Sequence, residues 1–354
     1  MGMSEPSAKP PQISVIVPAR NEEANLKTCL DSLAGQDFSF EVIVVNDHST
    51  DRTKEIAESY GWIRVIDSPE LPTGWTGKNN AVAAGARAAR TDWFLFTDAD
   101  TVHLPGSLGR AFAEAKANHA ELLSYSPEQI TGTFWEKATL PVVFSELARQ
   151  YPPSKVSDPK SPEAAANGQY LLVSREAYEA VGGHTAVAGE ILEDVAFARA
   201  VKASGRKIRF RYAADAVRTR MYRNFQQLRE GWTKNLVLLF PHPSWLAAKT
   251  LFLWGVPWAV LALGFVGRQP LIWYAAIATL GWLLLAGRLL RANFGIAKSL
   301  LAAVFGMPMF ACLLLRSRRA HAKGKVSWKG RTYGDRDVAA ARTTATSIIP
   351  GKLS

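Results

Sequence analysis

Between Gly231 and Gly334 the chain has no aspartate or glutamate, although thirteen of its lysines and arginines fall there. The 354 residues carry a formal net charge of +11, so this stretch holds +13 and the remainder about −2. The excess positive charge therefore belongs to one region, which is also the most apolar. That combination points to a surface of anionic lipid headgroups and argues against nucleic acid as the partner. Cysteine is nearly absent: Cys29 falls in an expected helix and Cys312 in an apolar run. Neither a disulfide framework nor a zinc site follows, and a reducing compartment fits. The opening MGMSEPSAKPPQ lacks the apolar core of a signal peptide, so residues 1–11 are expected to be disordered and the first domain to stay in the cytosol.

What is present in the first half is an alternation of β-branched runs and helix-forming segments. ISVIVPA (13–19), FEVIVVND (40–47), WIRVID (62–67) and WFLFTDA (93–99) read as strands, and 22–34, 51–60, 78–90 and 106–117 as helices. Strands separated by helices imply an α/β domain with a mostly parallel sheet. Its ligand crevice lies beyond the carboxyl ends of the strands, where PARNEE, NDHSTD and TDADT fall. The Pro-, Ser- and Lys-bearing stretch 151–168 predicts a long surface loop, read as a mobile lid. QYLLVS (169–174), a helix from Ser174, a helix over 190–203 and the strand KIRFRYA (207–213) complete the domain, and 222–235 has the pattern of an amphipathic helix leading out of it.

Three apolar runs of membrane length follow at 246–266, 271–287 and 295–315, bounded by Trp and Arg, with Lys249 placed to snorkel. Arg288, Arg291 and Lys298 mark the second loop as cytoplasmic, and RSRRAHAKGK (316–325) marks the tail likewise. Three full crossings would instead put that tail opposite a cytosolic first domain. Because Gly306 and Pro308 interrupt the third run, it is expected to dip in and return as a re-entrant or interfacial hairpin. The expected division is a domain over 12–235, membrane helices over 236–318 and a basic cytoplasmic tail over 319–354, in a multi-pass protein of the cytoplasmic (inner) membrane.

FLFTDAD (94–100) ends a run built for burial on two carboxylates. On an extended strand, positions two apart face the same way, so Asp98 and Asp100 converge past the sheet edge. Such a pair suits a Mg²⁺ or Mn²⁺ ion shared with a diphosphate, and a solvated turn uses the same residue types. Asp47 ends another strand where an acid can meet a ribose or base edge, while the Ser49-Thr50-Asp51 run suits a helix cap. Gly74, Gly77 and Lys78 precede a helix of small residues, in the manner of a phosphate contact or of a lone surface lysine. Glu193 and Asp194 offer either a shielded, more basic carboxylate or a surface pair bridged to Arg199.

SVIVPARNEE, VIVVNDHSTDRT, GKNNAVAAGARAA, LFTDAD and LEDVAFAR, in this order, resemble the nucleotide-sugar domain of the family-2 glycosyltransferases over about residues 12–235. GWTGKN, FTDADTVHLPGSL, the membrane region and the tail VSWKGRTY further resemble bacterial enzymes that glycosylate carotenoid or hopanoid lipids. The resemblance implies a GT-A fold and inverting transfer of a hexose from a nucleoside-diphosphate sugar to a lipid hydroxyl. It puts Pro18, Ala19 and Glu22 at the nucleotide pocket, Asp47 on the base or ribose, and Lys78 on the nucleotide. By the same resemblance Asp98 faces the ribose or metal waters, Asp100 binds a divalent metal, and Asp194 is the catalytic base. Asn167, Gly168 and Gln169 flank the acceptor.

QQLREGW departs from the Gln-x-x-Arg-Trp element of processive synthases, since Trp232 is displaced by two, which speaks against polymer synthesis; Arg229, Trp232 and Lys234 remain for the diphosphate or the headgroup plane. Residues 134–151 are expected along the headgroups or in a core. Two other readings stay open: transfer to a polyprenyl phosphate, which needs no base, and a non-catalytic membrane scaffold.

Overall fold

The computed structural model describes residues 10–267, 269–292, 294–328 and 331–333, so most of the expected disordered N-terminus and of the basic tail lie outside the described residues. The chain forms two compact units, Met1–Ile130 with Pro153–Arg220, and Thr131–Pro152 with Met221–Ser354.

The first unit begins with β1 (Ile13–Ala19), α1 (Leu26–Ala34), β2 (Phe40–Asn46), α2 (Thr53–Glu58), β3 (Arg64–Asp67), α3 (Gly77–Ala88) and β4 (Trp93–Phe96). It continues through β5 (Thr101–His103), α4 (Ser107–Ala117), β6 (Leu122–Ser126) and β7 (Glu128–Gln129). After the chain returns from the second unit come α6 (Pro153–Ser157), β8 (Leu171–Ser174), α7 (Arg175–Ala180), α8 (Glu193–Ala203), β9 (Ile208–Tyr212) and β10 (Val217–Thr219). The main sheet has the order β3-β2-β1-β4-β8-β6-β9, and only β8 runs against its neighbours. A second sheet, β5-β10-β7, was not foreseen, because strands of two or three residues leave no periodic trace.

The central strands are β-branched throughout because both faces are covered: Ile13, Val15, Ile16 and Val17 are fully buried. Val15 and Val17 pack with Leu26, Leu30 and Leu33 of α1, while Ile16 faces α3. A Cβ on Gly85 would lie 2.4 Å from Ile16 Cγ2, so only a helix of alanine and glycine can approach the sheet so closely. That approach fixes the start of α3 at the sheet's carboxyl edge. Stretch 153–168 is fastened rather than a free lid. Val156, Ala164, Ala165 and Ala166 are buried, and Lys202 Nζ donates to the carbonyls of Val156 (2.8 Å) and Glu163 (2.5 Å).

The second unit is helical, with α5 (Phe134–Gln150), α9 (Phe225–Leu239), α10 (Pro243–Leu263), α11 (Leu271–Leu289), α12 (Ile296–Leu301) and α13 (Met307–Ala322). A capping box starts α5, where Glu136 Oε2 accepts from the Thr133 N–H at 2.6 Å and Thr133 Oγ1 accepts from the Glu136 N–H. Among the described residues, three helices are long and apolar enough to cross a membrane: Pro243–Leu263, Leu271–Leu289 and Ile296–Ala322. The expected hairpin in the third does not form. Gly306 and Pro308 are absorbed by a π-helical turn, Ala302–Gly306, that joins α12 to α13 without interruption. Pro308 has no N–H to offer the Val304 carbonyl four residues earlier, and Trp254 Nε1 donates to that carbonyl instead, at 2.8 Å. Trp232 of α9 is buried against Phe144 and Tyr222, so its ring belongs to the core of this unit.

Candidate active site

The loops after β1 and β2 are stapled to each other. Asn21 Oδ1 accepts from the Thr50 N–H (2.9 Å), Ser49 Oγ from the Asn21 N–H (3.1 Å), and Thr53 Oγ1 from the Glu22 N–H (2.7 Å). Ser49 and Thr50 therefore serve the neighbouring loop rather than a helix cap. Asp51 is structural, accepting from the Thr53 N–H at 3.0 Å and the Glu23 N–H at 3.1 Å. Asp47, 5% exposed, sits at this edge with its N–H on the Ala19 carbonyl (2.8 Å) and Arg20 4.0 Å from its carboxylate.

Past β4 the geometry differs from expectation. The strand ends at Phe96, and the Thr101 N–H donates to the Asp98 carbonyl at 3.1 Å, so residues 98–101 form a turn. Asp98 and Asp100 occupy its first and third positions, and the argument from strand alternation does not apply to them. Thr219 Oγ1 holds the Asp100 carbonyl at 3.3 Å. Burial, then Asp100, Glu22 and Asp98, all push the Cys29 thiol up, so these three acids act on one locality. Among the described residues no cluster of three or more acids, histidines or cysteines forms a closed metal site. Two carboxylates on one turn are the donor set of a hard divalent cation that takes its remaining ligands from water and phosphate, so the residues fit that ion.

A cleft opens beside this turn, lined by Pro18, Lys78, Asp98, Gly168, His184, Glu193 and Asp194 among others. Lys78 reaches it from the first turn of α3, whose N-terminus is pinned: Thr76 Oγ1 accepts from the Asn79 N–H, and Asn79 Nδ2 donates to the carbonyls of Val187 (2.7 Å) and Ala188 (2.9 Å). Lys78 Nζ lies 2.8 Å from both Asp98 Oδ1 and Glu193 Oε1. Burial alone would lower the lysine's pKa, but Asp98, Glu193 and Asp194 outweigh it and hold the ammonium well above its ordinary value. Glu193 thus pairs with Lys78 rather than leaving a bridge to Arg199.

Asp194 is held by the Gly168 N–H on Oδ2 and the Val195 N–H on Oδ1, each at 2.8 Å. Burial and then Glu193 push its pKa up to about 6, against Lys78 and these two donors. A Cβ at Gly168 would come within 3.1 Å of Lys78 Nζ, so the turn carrying Asn167 and Gln169 closes directly over the charges. Sequence reasoning missed His184, which stacks on Phe197 (5.5 Å, 8°). The Tyr178 hydroxyl accepts from the His184 N–H and pairs with Nδ1, both at 3.1 Å, which directs the phenol proton to Nδ1 and leaves the ring N–H on Nε2. Burial and Lys78 push this imidazole down to about 3, so it is neutral. The signal was the pair Gly182-Gly183, both at positive φ, just ahead of it.

Pro18, Lys78, Asp98, Asp194 and Gly168 are therefore brought to one cleft. Ala19, Glu22 and Asp47 stand at the adjacent sheet edge, and Asp100 on the turn.

Residues 14–182 match the family described as Glycosyl transferase family 2. The 4,4'-diaponeurosporenoate glycosyltransferase of Staphylococcus aureus strain MRSA252 is 30% identical over 338 residues, covering 91% of this chain and 88% of that enzyme. The enzyme of the same name from strain USA300 is 30% identical over 332 residues. A mannosyltransferase from Pyrobaculum calidifontis, solved with GDP-Man and Mn²⁺, superposes with a TM-score of 0.52 at 16% identity, covering 88% of this chain and 87% of that one, which shows a shared GT-A fold. With a relative matched along nearly its whole length and the family's signature spanning the strands that build the cleft, this chain belongs to glycosyltransferase family 2.

Proposed function

We propose that the protein is a membrane-bound, inverting glycosyltransferase that moves a hexose from a nucleoside-diphosphate sugar to a carotenoid-like or hopanoid-like lipid. The observation that carries this reading is the charge arrangement of the cleft, a fixed ammonium on Lys78 beside a carboxylate, Asp194, whose basicity is raised. Lys78 is a permanent cation for diphosphate oxygens. Asp47 and Glu22, with Pro18 and Ala19, supply the pocket edge for the nucleoside. Mg²⁺ or Mn²⁺ held by Asp98 and Asp100 would supply charge neutralisation for the leaving diphosphate. The acceptor oxygen attacks the anomeric carbon, the bond from that carbon to the diphosphate oxygen breaks, and Asp194 takes the acceptor's proton. The Gly168 N–H keeps Asp194 in place, and the Nε2–H of His184 offers a neutral donor to a sugar hydroxyl. The same reading sets the enzyme in the cytoplasmic membrane with its cleft toward the cytosol, where nucleotide sugars are made.

A second reading concerns the acceptor. The Staphylococcus aureus relative is named for a carboxylate substrate, and an acceptor already ionised, a carboxylate or a polyprenyl phosphate, brings no proton. Membranes carrying the full chain, given labelled nucleotide sugars, are expected to move label into the organic-extractable fraction. For a hydroxyl acceptor, Asp194→Asn lowers that rate about 10²- to 10⁴-fold. Near-normal turnover in this variant assigns an ionised acceptor instead. No transfer of label, together with no metal-dependent binding of nucleoside diphosphates by calorimetry, makes the chain a scaffold.

A further inference from the structure

The helical unit contains a cleft of its own, open to its surroundings. Half of its lining is apolar, with Leu246, Leu253, Leu285 and Met307 among those residues, and three cations stand on it: Arg149 near the end of α5, Lys249 in the second turn of α10 and Arg288 near the end of α11. The one acid in the lining, Glu146, is taken by Arg149, whose Nε and Nη2 lie 2.8 and 2.7 Å from its Oε2. Lys249 and Arg288 form no ion pair among the described residues, and α10 to α13 contain no acid that would provide one. Two uncompensated cations thus flank a half-apolar hollow.

Their position is set by the fold of the unit. Helices α10 and α11 are joined by a short turn and pack along each other, with Pro257 against Gly281 and Trp258 against Trp282 at 4.9 Å. An early residue of α10 and a late residue of α11 therefore lie at one end of the pair. Ser145 Oγ donates to the Arg288 carbonyl at 3.2 Å, which brings α5 to that same end. Both helices have membrane length, so this end corresponds to one headgroup plane. A soluble anion would leave the apolar wall wet, and a neutral lipid would leave two cations unpaired.

We propose that this cleft binds an anionic membrane amphiphile, its phosphate or carboxylate head between Lys249 and Arg288 and its chain along Leu246, Leu253 and Leu285. The site is independent of the sugar-transfer chemistry. Native mass spectrometry of the full chain, released from detergent with phosphatidylglycerol, phosphatidylcholine or oleate, tests it. Phosphatidylglycerol is expected to stay bound where phosphatidylcholine does not. The double variant Lys249→Gln/Arg288→Gln weakens retention about 30-fold, from roughly one kcal/mol per cation near a charged surface. Lys323→Gln, which removes an exposed cation outside the cleft, leaves retention unchanged. Leu253→Trp fills the hollow without altering charge and also loses the lipid. Retention of phosphatidylglycerol but not oleate assigns a phosphate head, the reverse a carboxylate head, and retention of both a site for either. Equal retention of phosphatidylcholine, an unaffected double variant, or an equal loss in Lys323→Gln overturns the proposal. If the double variant proves unfolded by thermal melting, Leu253→Trp decides, because a folded Leu253→Trp protein that keeps its lipid refutes the site.

Discussion

Lys78 ties the chemistry of the cleft together, since one ammonium lies 2.8 Å from acids on two different elements and bears on a third. Because Lys78 opposes the burial and the Glu193 charge that raise Asp194, removing it lets the Asp194 pKa climb further from about 6. If Asp194 is the base of the proposed transfer it works only when deprotonated, so the rate of the native protein is expected to fall as pH drops through that value. In Lys78→Met the acidic limb of the pH–rate profile is expected to move to higher pH, and the maximal rate to fall as the diphosphate contact is lost. A limb that stays in place in a folded variant means that Asp194 does not set it. Lys78 and Asp98 were legible from residue type and place, because they start a helix and follow a strand end at one sheet edge, whereas Pro18 and the choice of Asp194 came from the family resemblance. The pairing of Glu193 with Lys78 was not legible, since it joins helices distant in sequence and the local alternative, Arg199 on the same helix, looked equally good. The Asp98 and Asp100 pair was found for a reason that the turn replaces.

At the scale of elements, the tightest approach in the helical unit is between α5 and the π-helical turn, where a Cβ on Gly306 would lie 1.9 Å from the Ala138 carbonyl oxygen. Backbone cannot swing away as a side chain can, so Gly306→Ala must separate the two helices. Its expected cost is about 1–3 kcal/mol, read as a lower melting temperature in detergent. Gly255→Ala, on a helix surface with nothing within 4 Å, is the control and should be neutral or slightly stabilising. Equal melting of the two variants would mean that α5 and the π turn can part without cost. The π turn also explains why Gly306 and Pro308 did not make a hairpin. A wide turn leaves carbonyls without their usual partners, and the indole of Trp254 takes that of Val304 at 2.8 Å. Glycine and proline announce a disturbance in a helix; whether the chain bends back or widens by a residue is decided by the neighbours, here α5 and Trp254, which no local pattern reveals. The β1, α4 and α5 segments were readable almost to the residue because burial on one or both faces imprints their periodicity.

For the whole molecule, the conflict between three membrane-length helices and two basic segments expected on the cytoplasmic side turns on where the third helix lies. Half of its apolar window is buried within the protein, against 22% and 17% for α10 and α11. Its contacts run from the middle of α10, where Trp254 Nε1 donates to the Val304 carbonyl at 2.8 Å and Met307 shares the cleft with Leu246, Leu253, Leu285 and Leu289, to the very start of that helix, where Arg318 Nη1 lies 2.7 Å from Ser244 Oγ. Its last turns are fastened to α9, with Ser317 Oγ on the Thr233 carbonyl at 2.7 Å and Arg316 Nε on Thr233 Oγ1 at 3.2 Å. A helix that ends beside the first residues of α10 has not carried the chain to the far end of that helix. This arrangement predicts that only α10 and α11 cross, with the third helix at the headgroup level and the tail on the face where α10 begins, in keeping with the positive charge of residues 316–325. Single cysteines placed at His242, Gln269 and Lys323, after Cys29 and Cys312 are replaced, test this with an impermeant maleimide. In sealed vesicles of one orientation, positions 242 and 323 are expected to label together, and position 269, in the turn between α10 and α11, only when the vesicles are inverted. Labelling of 323 alongside 269 would require three crossings, and the basic tail would then lie on the face opposite the start of α10.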